Sequence, residues 1–261
     1  MARKLARECN TFASNLKKEY PSRFGFWASL PLPDIEGSLA EIPVALDELN
    51  ADGFVLQTNH QGVYLGDEKF DPIFALLNER KAIVFVHPTT PCIASSVGTA
   101  CVAATPLAKY AAPMLEFYFD TARCVSDLLL SGTVFKYPQI NFLISHCGGA
   151  LPPLIERISA ISTAWMGQPL STASVRELFQ KQFFFDLAGF PFPDQIHSML
   201  RLVDSSRFLY GSDYPFTPGE VVRQLAVRLD NELPHVFDGV DVEKILRRNA
   251  ETLLKGRPSI S

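Results

Sequence analysis

Six apolar runs, each about the length of one strand, alternate along the chain with stretches of helical periodicity. The runs are continuously apolar, which is typical of strands that are covered on both faces. Repeated strand-then-helix units predict a parallel sheet, either doubly wound or closed as a (β/α) barrel. Since no linker or low-complexity block interrupts them, residues 1–261 are predicted to form a single domain. The runs are residues 24–32, 53–59, 82–88, 141–149, 183–189 and 207–213.

The N-terminal segment is predicted to be an amphipathic helix. Its apolar residues recur at steps of four, three and four, which places them on one face. They are Leu5, Cys9, Phe12 and Leu16. No GxGxxG motif follows any of the apolar runs, so the main sequence support for a dinucleotide cofactor is missing.

Composition and charge argue against several classes of protein. The 24 basic and 28 acidic residues give a net charge of −4, and the basic residues form no stripe of the kind that nucleic-acid binding requires. No apolar run approaches the roughly 20 residues that cross a bilayer. The polar start MARKLARECN does not resemble a secretory signal. We therefore expect a soluble, cytoplasmic protein with no nucleic-acid or membrane partner.

The five cysteines are odd in number and never lie at CxxC spacing. This pattern indicates neither a disulfide framework nor a thiolate zinc site. We expect most of them to be small core residues. They are Cys9, Cys92, Cys101, Cys124 and Cys147.

Three of the apolar runs end in an ionisable residue. VFVH ends at His87, LISH at His146, and LYGSD at Asp213. In a parallel barrel the carboxyl ends of all strands lie on one face, so these side chains are predicted to converge. Two imidazoles and a carboxylate suit a divalent metal such as zinc. A metal would also offset the cost of placing the Asp213 carboxylate at the end of a buried strand.

Other polar residues near the strand ends are candidates for weaker roles. His60 follows the second run and could contact substrate, although loops often carry solvated histidines. Gly148 and Gly149 could simply turn the chain, or their N–H groups could bind a substrate carboxylate. Asp186 near the end of the fifth run is a candidate for ordering the neighbouring loop.

An ordered series of motifs resembles the amidohydrolase-2 group of the amidohydrolase superfamily. The motifs are HPTTP, NFLISHCGGALPPLIERI, FFFDLAG, FLYGSDYPF and RRNAETLL. Within this group, RFGFWASLPLPD and ADGFVLQTNHQGVYLGD are similar to the aminocarboxymuconate-semialdehyde decarboxylase relatives, above all the 6-methylsalicylate decarboxylases. The resemblance covers essentially the whole chain.

The resemblance implies a (β/α)8 barrel, a divalent metal (zinc first, manganese as the alternative) and no organic cofactor. It implies nonoxidative decarboxylation of a small aromatic acid such as 6-methylsalicylate or orsellinate, in polyketide secondary metabolism, by a possible homodimer. Position by position, it makes His87 and Asp213 metal ligands and His146 a base or electrostatic partner. Asp213 is then also the candidate proton donor to the ring carbon that bears the carboxylate.

The chain departs from the family pattern at its start. Relatives begin with a strand that carries a His-x-His pair of metal ligands, whereas the first histidine here is His60. We therefore expect a barrel without its first two strands. This leaves two alternatives to the decarboxylase: a noncatalytic or incomplete paralogue that binds no metal, and a metal-dependent hydrolase on the same scaffold.

Overall fold

A computed structural model describes residues 1–94, 101–167 and 170–255. Its chain divides into two compact units, of which the first is Met1–Phe142 and the second begins at Leu143. All six predicted strands form within the runs that the sequence indicates. The single domain over residues 1–261 stays a prediction.

The strands of the first unit comprise a parallel set and two short hairpins. They are β1 (Trp27–Ser29), β2 (Gly53–Gln57), β3 (Asn59–His60), β4 (Val63–Tyr64), β5 (Ile83–His87), β6 (Cys92–Ala94) and β7 (Cys101–Ala103). Strand β2 pairs in parallel with β1 on one side and with β5 on the other. The antiparallel pairs β3–β4 and β6–β7 follow β2 and β5 along the chain. Both hairpins therefore come just after the carboxyl end of a parallel strand.

Helices in this unit flank the parallel strands. They are α1 (Ala2–Glu19), α2 (Ile35–Pro43), α3 (Asp71–Glu79), α4 (Ala112–Leu130) and α5 (Thr133–Lys136). Helix α2 begins at an Asp34 cap whose carboxylate accepts the Gly37 N–H at 2.9 Å. Within the described residues, no helix combines the length and the apolar character that crossing a membrane requires.

Helix α1 forms as predicted, but its apolar face is not the buried one. Leu5 and Phe12 are 60% and 72% exposed, whereas Ala6, Asn10 and Ser14 are buried. The reason is specific hydrogen bonding: Asn10 Nδ2 donates to Ser29 O at 3.0 Å, and Asn10 Oδ1 accepts the Ser29 N–H at 2.8 Å. The helix thus satisfies the backbone of β1 through a polar side chain, which a hydrophobic pattern cannot indicate.

The second unit repeats the strand-then-helix order. Strand β8 (Asn141–Ile144) crosses the boundary between the units, and β9 (Phe183–Asp186) pairs in parallel with β10 (Phe208–Leu209). The helices are α6 (Ile155–Met166), α7 (Thr172–Gln182), α8 (Gln195–Met199), α9 (Gly219–Val236), α10 (Gly239–Glu243) and α11 (Asn249–Lys255). All four residues of β9 are buried, which explains its continuous apolar run.

The cysteine prediction is wrong for three residues and confirmed for two. Cys92 and Cys101 form a disulfide, because β6 and β7 pair in a hairpin that brings their Cα atoms to 5.9 Å. Residues nine positions apart carry no such signal in the sequence. Cys124 and Cys147 are buried as expected, whereas Cys9 is exposed on α1.

Candidate metal and catalytic site

His146 lies in a tight turn directly after β8. Its φ is 55° and that of Cys147 is 50°, so two consecutive residues other than glycine have left-handed backbone. Such conformations cost on the order of 1–3 kcal/mol each and concentrate at functional sites. The His146 side chain is buried, at 7% exposure. The turn therefore positions the imidazole through a backbone conformation that would not form without supporting contacts.

Two polar side chains of the second unit supply that support. Asp186 Oδ1, at the end of β9, accepts the N–H groups of His146 at 2.9 Å and Ala188 at 3.1 Å. Gln195 Nε2 donates to the carbonyl oxygens of His146 at 2.8 Å and Gly149 at 2.9 Å. Asp186 thus orders the neighbouring loop as its position in the sequence suggests. Gln195 escaped the sequence reasoning because an uncharged residue at the start of a short helix has no distinctive signal.

Asp213 lies four residues beyond β10 and also has left-handed backbone, with a φ of 57°. Its carboxylate accepts the Thr217 hydroxyl at 2.6 Å, and its carbonyl accepts the Thr217 N–H at 2.8 Å. A carboxylate oxygen of Asp213 lies within 4.8 Å of a ring nitrogen of His146. Two of the residues predicted from the strand ends are therefore neighbours in the second unit.

The electrostatic environment keeps this imidazole neutral. Burial lowers the pKa of His146 below its ordinary value, and the nearby Asp213 carboxylate opposes that effect. A neutral imidazole next to a carboxylate offers one nitrogen lone pair and one anionic oxygen. That pair can bind a cation, or it can transfer and stabilise a proton.

His87 is the last residue of β5 in the first unit. Its Nδ1 lies 2.8 Å from Pro88 O, and because a carbonyl can only accept, Nδ1 must carry the proton. The lone pair of the neutral ring is therefore on Nε2, which is the tautomer of a metal-binding histidine with an oriented ring. Phe85 and Phe117 contact the ring edge to face, with centroids 6.0 and 6.1 Å away.

His60 lies in β3, where its ring packs against Phe70 at 5.9 Å between centroids. Burial lowers the pKa of His60 to about 4, so the ring is neutral near pH 7. Its Nε2 is buried and has no hydrogen-bond partner within the described residues. A buried ring nitrogen without a partner costs free energy, which a hydrogen bond from a ligand would recover.

Gly148 and Gly149 have φ values of 78° and 58°, so glycine is needed at this turn. Their N–H groups donate to Ser145 O at 3.2 Å and to His146 O at 2.9 Å. A substrate carboxylate would have to share these donors. The predicted contact with a carboxylate stays a prediction.

Comparison with known proteins places this chain in a family. The amidohydrolase family model matches residues 2–256. The 6-methylsalicylic acid decarboxylase acuB of Aspergillus aculeatus is 35% identical over 95% of this chain and 74% of its own length. A crystal structure of an amidohydrolase II is 28% identical, with a TM-score of 0.84 over 97% of this chain and 78% of its own.

A further solved structure shares the fold and contains a metal. The dihydroxybenzoic acid decarboxylase of Polaromonas sp. JS666, solved with manganese and the inhibitor 2-nitroresorcinol, is 21% identical. Its TM-score is 0.78 over 97% of this chain and 75% of its own. These matches confirm the predicted (β/α) barrel class and the resemblance found in the motifs. The chain belongs to the amidohydrolase family.

Proposed function

We propose that this protein is a metal-dependent decarboxylase that removes CO2 from a salicylate-type aromatic acid. The observation that carries the proposal is the pair formed by His146 and Asp213, set on left-handed backbone in a chain of the amidohydrolase family. The substrate class follows from the relative in Aspergillus aculeatus, which is a 6-methylsalicylic acid decarboxylase.

The donor set of the described residues suits a divalent metal. We propose that His87 and Asp213 are its ligands, with His146 next to the bound ion. The Nε2 lone pair of His87 and the carboxylate of Asp213 are the types of donor that zinc and manganese accept. Zinc is the first candidate. Manganese is the alternative, because the Polaromonas neighbour contains it.

The bound metal would supply a Lewis acid that neutralises the substrate carboxylate and its ortho oxygen. The protein residues handle the proton. Asp213 takes up the proton that the substrate acid loses and delivers it to the ring carbon that bears the carboxylate. The bond between that carbon and the carboxylate then breaks, its electron pair returns to the ring, CO2 leaves, and Asp213 is again a carboxylate. His146 stabilises the charge that develops on the ring during protonation.

Substrate contacts are proposed for three further residues. The unpartnered Nε2 of His60 would form a hydrogen bond with the substrate, as donor or acceptor according to which nitrogen of the neutral ring carries its single proton. Gly148 and Gly149 would share their N–H groups with the substrate carboxylate. A homodimer remains a prediction from the family resemblance.

The test is metal analysis of the purified chain together with CO2 release from 6-methylsalicylate, with zinc and manganese supplied in separate reactions. We expect metal-dependent turnover that His146→Asn removes and His197→Asn leaves unchanged, because His197 is exposed on α8. A folded, metal-loaded protein without turnover would refute the decarboxylase. Release of an alcohol or amine from an ester or amide substrate instead would favour a hydrolase.

A further inference from the structure

A buried carboxylate in the first unit joins three segments near the end of β5. Asp120, on α4, has no exposed surface, and its carboxylate accepts hydrogen bonds from Thr58, Asn59 and Tyr64. The Asn59 Nδ2 group donates at 3.1 Å, while both hydroxyls donate at shorter distances. The half-exposed Arg123 guanidinium lies 3.7 Å from the Asp120 carboxylate. The three donors that converge on the Asp120 carboxylate offset the cost of burying its charge.

Thr58 connects this carboxylate to the backbone around His87. The Thr58 N–H donates to His87 O at 3.0 Å, and the Thr58 hydroxyl accepts the Thr89 N–H at 3.1 Å. A hydroxyl has one proton, and here it points to Asp120. Its lone pairs therefore face Thr89. Thr58 holds the peptides on both sides of Pro88, the His87 carbonyl through its backbone N–H and the Thr89 N–H through its hydroxyl.

We propose that Asp120 is a positioning residue for His87. Its carboxylate orients the Thr58 hydroxyl, which holds the backbone that follows the histidine and so sets the direction of the imidazole. The inference rests on the proposed role of His87 as a metal ligand. Groups that orient metal ligands typically change the metal affinity about 10- to 100-fold when they are removed.

A matched control lies two turns further along the same helix. Asp127 is partly buried, and its carboxylate accepts the Gly66 N–H at 2.7 Å. This hydrogen bond joins Asp127 to the loop after β4, away from Thr58 and the residues that follow His87. Asp127→Asn therefore removes a buried carboxylate from α4 without disturbing the connection to His87.

Four variants separate positioning from general packing. Asp120→Asn keeps the shape but turns a donor toward other donors. Thr58→Val removes the hydroxyl at nearly constant volume, whereas Thr58→Ser retains it and should rescue the function. Asp127→Asn is the control. The readouts are the affinity for Mn²⁺ in the absence of substrate, and the hydrogen-exchange rate of the Thr89 amide in the metal-free protein.

We expect Asp120→Asn and Thr58→Val to weaken Mn²⁺ binding about 10-fold or more and to accelerate exchange at Thr89. In Thr58→Ser and Asp127→Asn, the Mn²⁺ affinity and the exchange rate at Thr89 should remain within about threefold of those of the unaltered protein. Equal losses of unfolding free energy in all four variants, with unchanged affinity and exchange, would overturn the proposal. If Asp120→Asn does not fold, the Thr58 pair decides the question.

The two proposals can fail separately. If the unaltered protein binds neither Zn²⁺ nor Mn²⁺, the proposed metal site is wrong, and exchange at Thr89 alone decides the positioning role. Faster exchange in Thr58→Val but not in Thr58→Ser would then support the connection between Asp120 and the backbone after His87. Unchanged exchange in both Thr58→Val and Asp120→Asn would refute it.

Discussion

A ring nitrogen of His146 and a carboxylate oxygen of Asp213 lie within 4.8 Å of each other, and both residues have left-handed backbone. They are 67 positions apart in the sequence. Each follows a different buried strand. Backbone strain at both members of one pair is expected where the position of a functional group matters more than local stability.

Substitution of the pair should separate metal binding from stabilisation of the developing charge. Asp213→Asn should lower both metal affinity and turnover, because it removes a proposed ligand. His146→Asn should lower turnover by about 100-fold or more, as is typical when a group that stabilises developing charge is lost, while most of the metal affinity remains. Metal titration and steady-state rates on both variants check this. Full turnover in either variant would mean that the roles are assigned wrongly.

Loss of Gln195 should destabilise the turn at His146. In Gln195→Leu, the buried Gly149 carbonyl oxygen loses the Gln195 donor and that of His146 keeps only the Gly149 N–H, which should cost about 1–3 kcal/mol of unfolding free energy. Urea denaturation measures the change. Gln224→Leu is the control, since Gln224 is exposed on α9 and its amide donates to Glu220 on the same helix. Equal stability of Gln195→Leu and Gln224→Leu would contradict the supporting role of Gln195.

A methyl group at Gly211 should disturb the carboxylate that supports His146. A Cβ built there would lie 3.1 Å from Cβ and Cγ of Asp186. Gly211→Ala should therefore cost about 1–3 kcal/mol of unfolding free energy through overpacking, and turnover should fall with it. Gly239→Ala is the matched control, because nothing lies within 4 Å of the added atom. Thermal and urea denaturation of both variants provide the comparison.

Burial of His60 should make stability depend on pH. The pKa of His60 falls from 6.5 to about 4 on folding, so the unfolded chain takes up a proton first as the pH decreases. Stability from this group is present above about pH 6.5 and is lost between pH 6.5 and 4, with a total on the order of 2–3 kcal/mol.

Denaturation curves between pH 4 and 7.5 test the contribution of His60. His60→Leu should flatten the pH dependence of the unfolding free energy. His235→Leu, at an exposed position on α9, should leave that dependence unchanged. If His60→Leu and the unaltered protein lose stability in parallel as the pH decreases, the ring of His60 is not buried in its neutral form.

Counting thiols should reveal the disulfide. In the folded protein only exposed Cys9 should react quickly, because Cys124 and Cys147 are buried. Unfolding without a reductant should expose three thiols, and reduction should raise the number to five. Five reactive thiols in the unreduced, unfolded chain would show that Cys92 and Cys101 are not joined.

The sequence alone determined the places of six strands along the chain and the chemistry at the strand ends. Continuous apolar runs predict strands that are covered on both faces. His87, His146 and Asp213 lie at or near the ends of three of these runs. The motifs around them were sufficient to identify the amidohydrolase family. These features are local, because they depend on side chains that are close together along the chain.

Only the tertiary structure decided which groups act on one another. The three hydrogen bonds to Asp120, the support of His146 by Asp186 and Gln195, and the pairing of Cys92 with Cys101 join residues that carry no mutual signal in the sequence. The exposed apolar face of α1 has the same origin, since Asn10 is buried by hydrogen bonds to β1. Hydrogen bonds and disulfides depend on distances of a few ångströms in space, and hydrophobic periodicity reports only which face of an element is apolar.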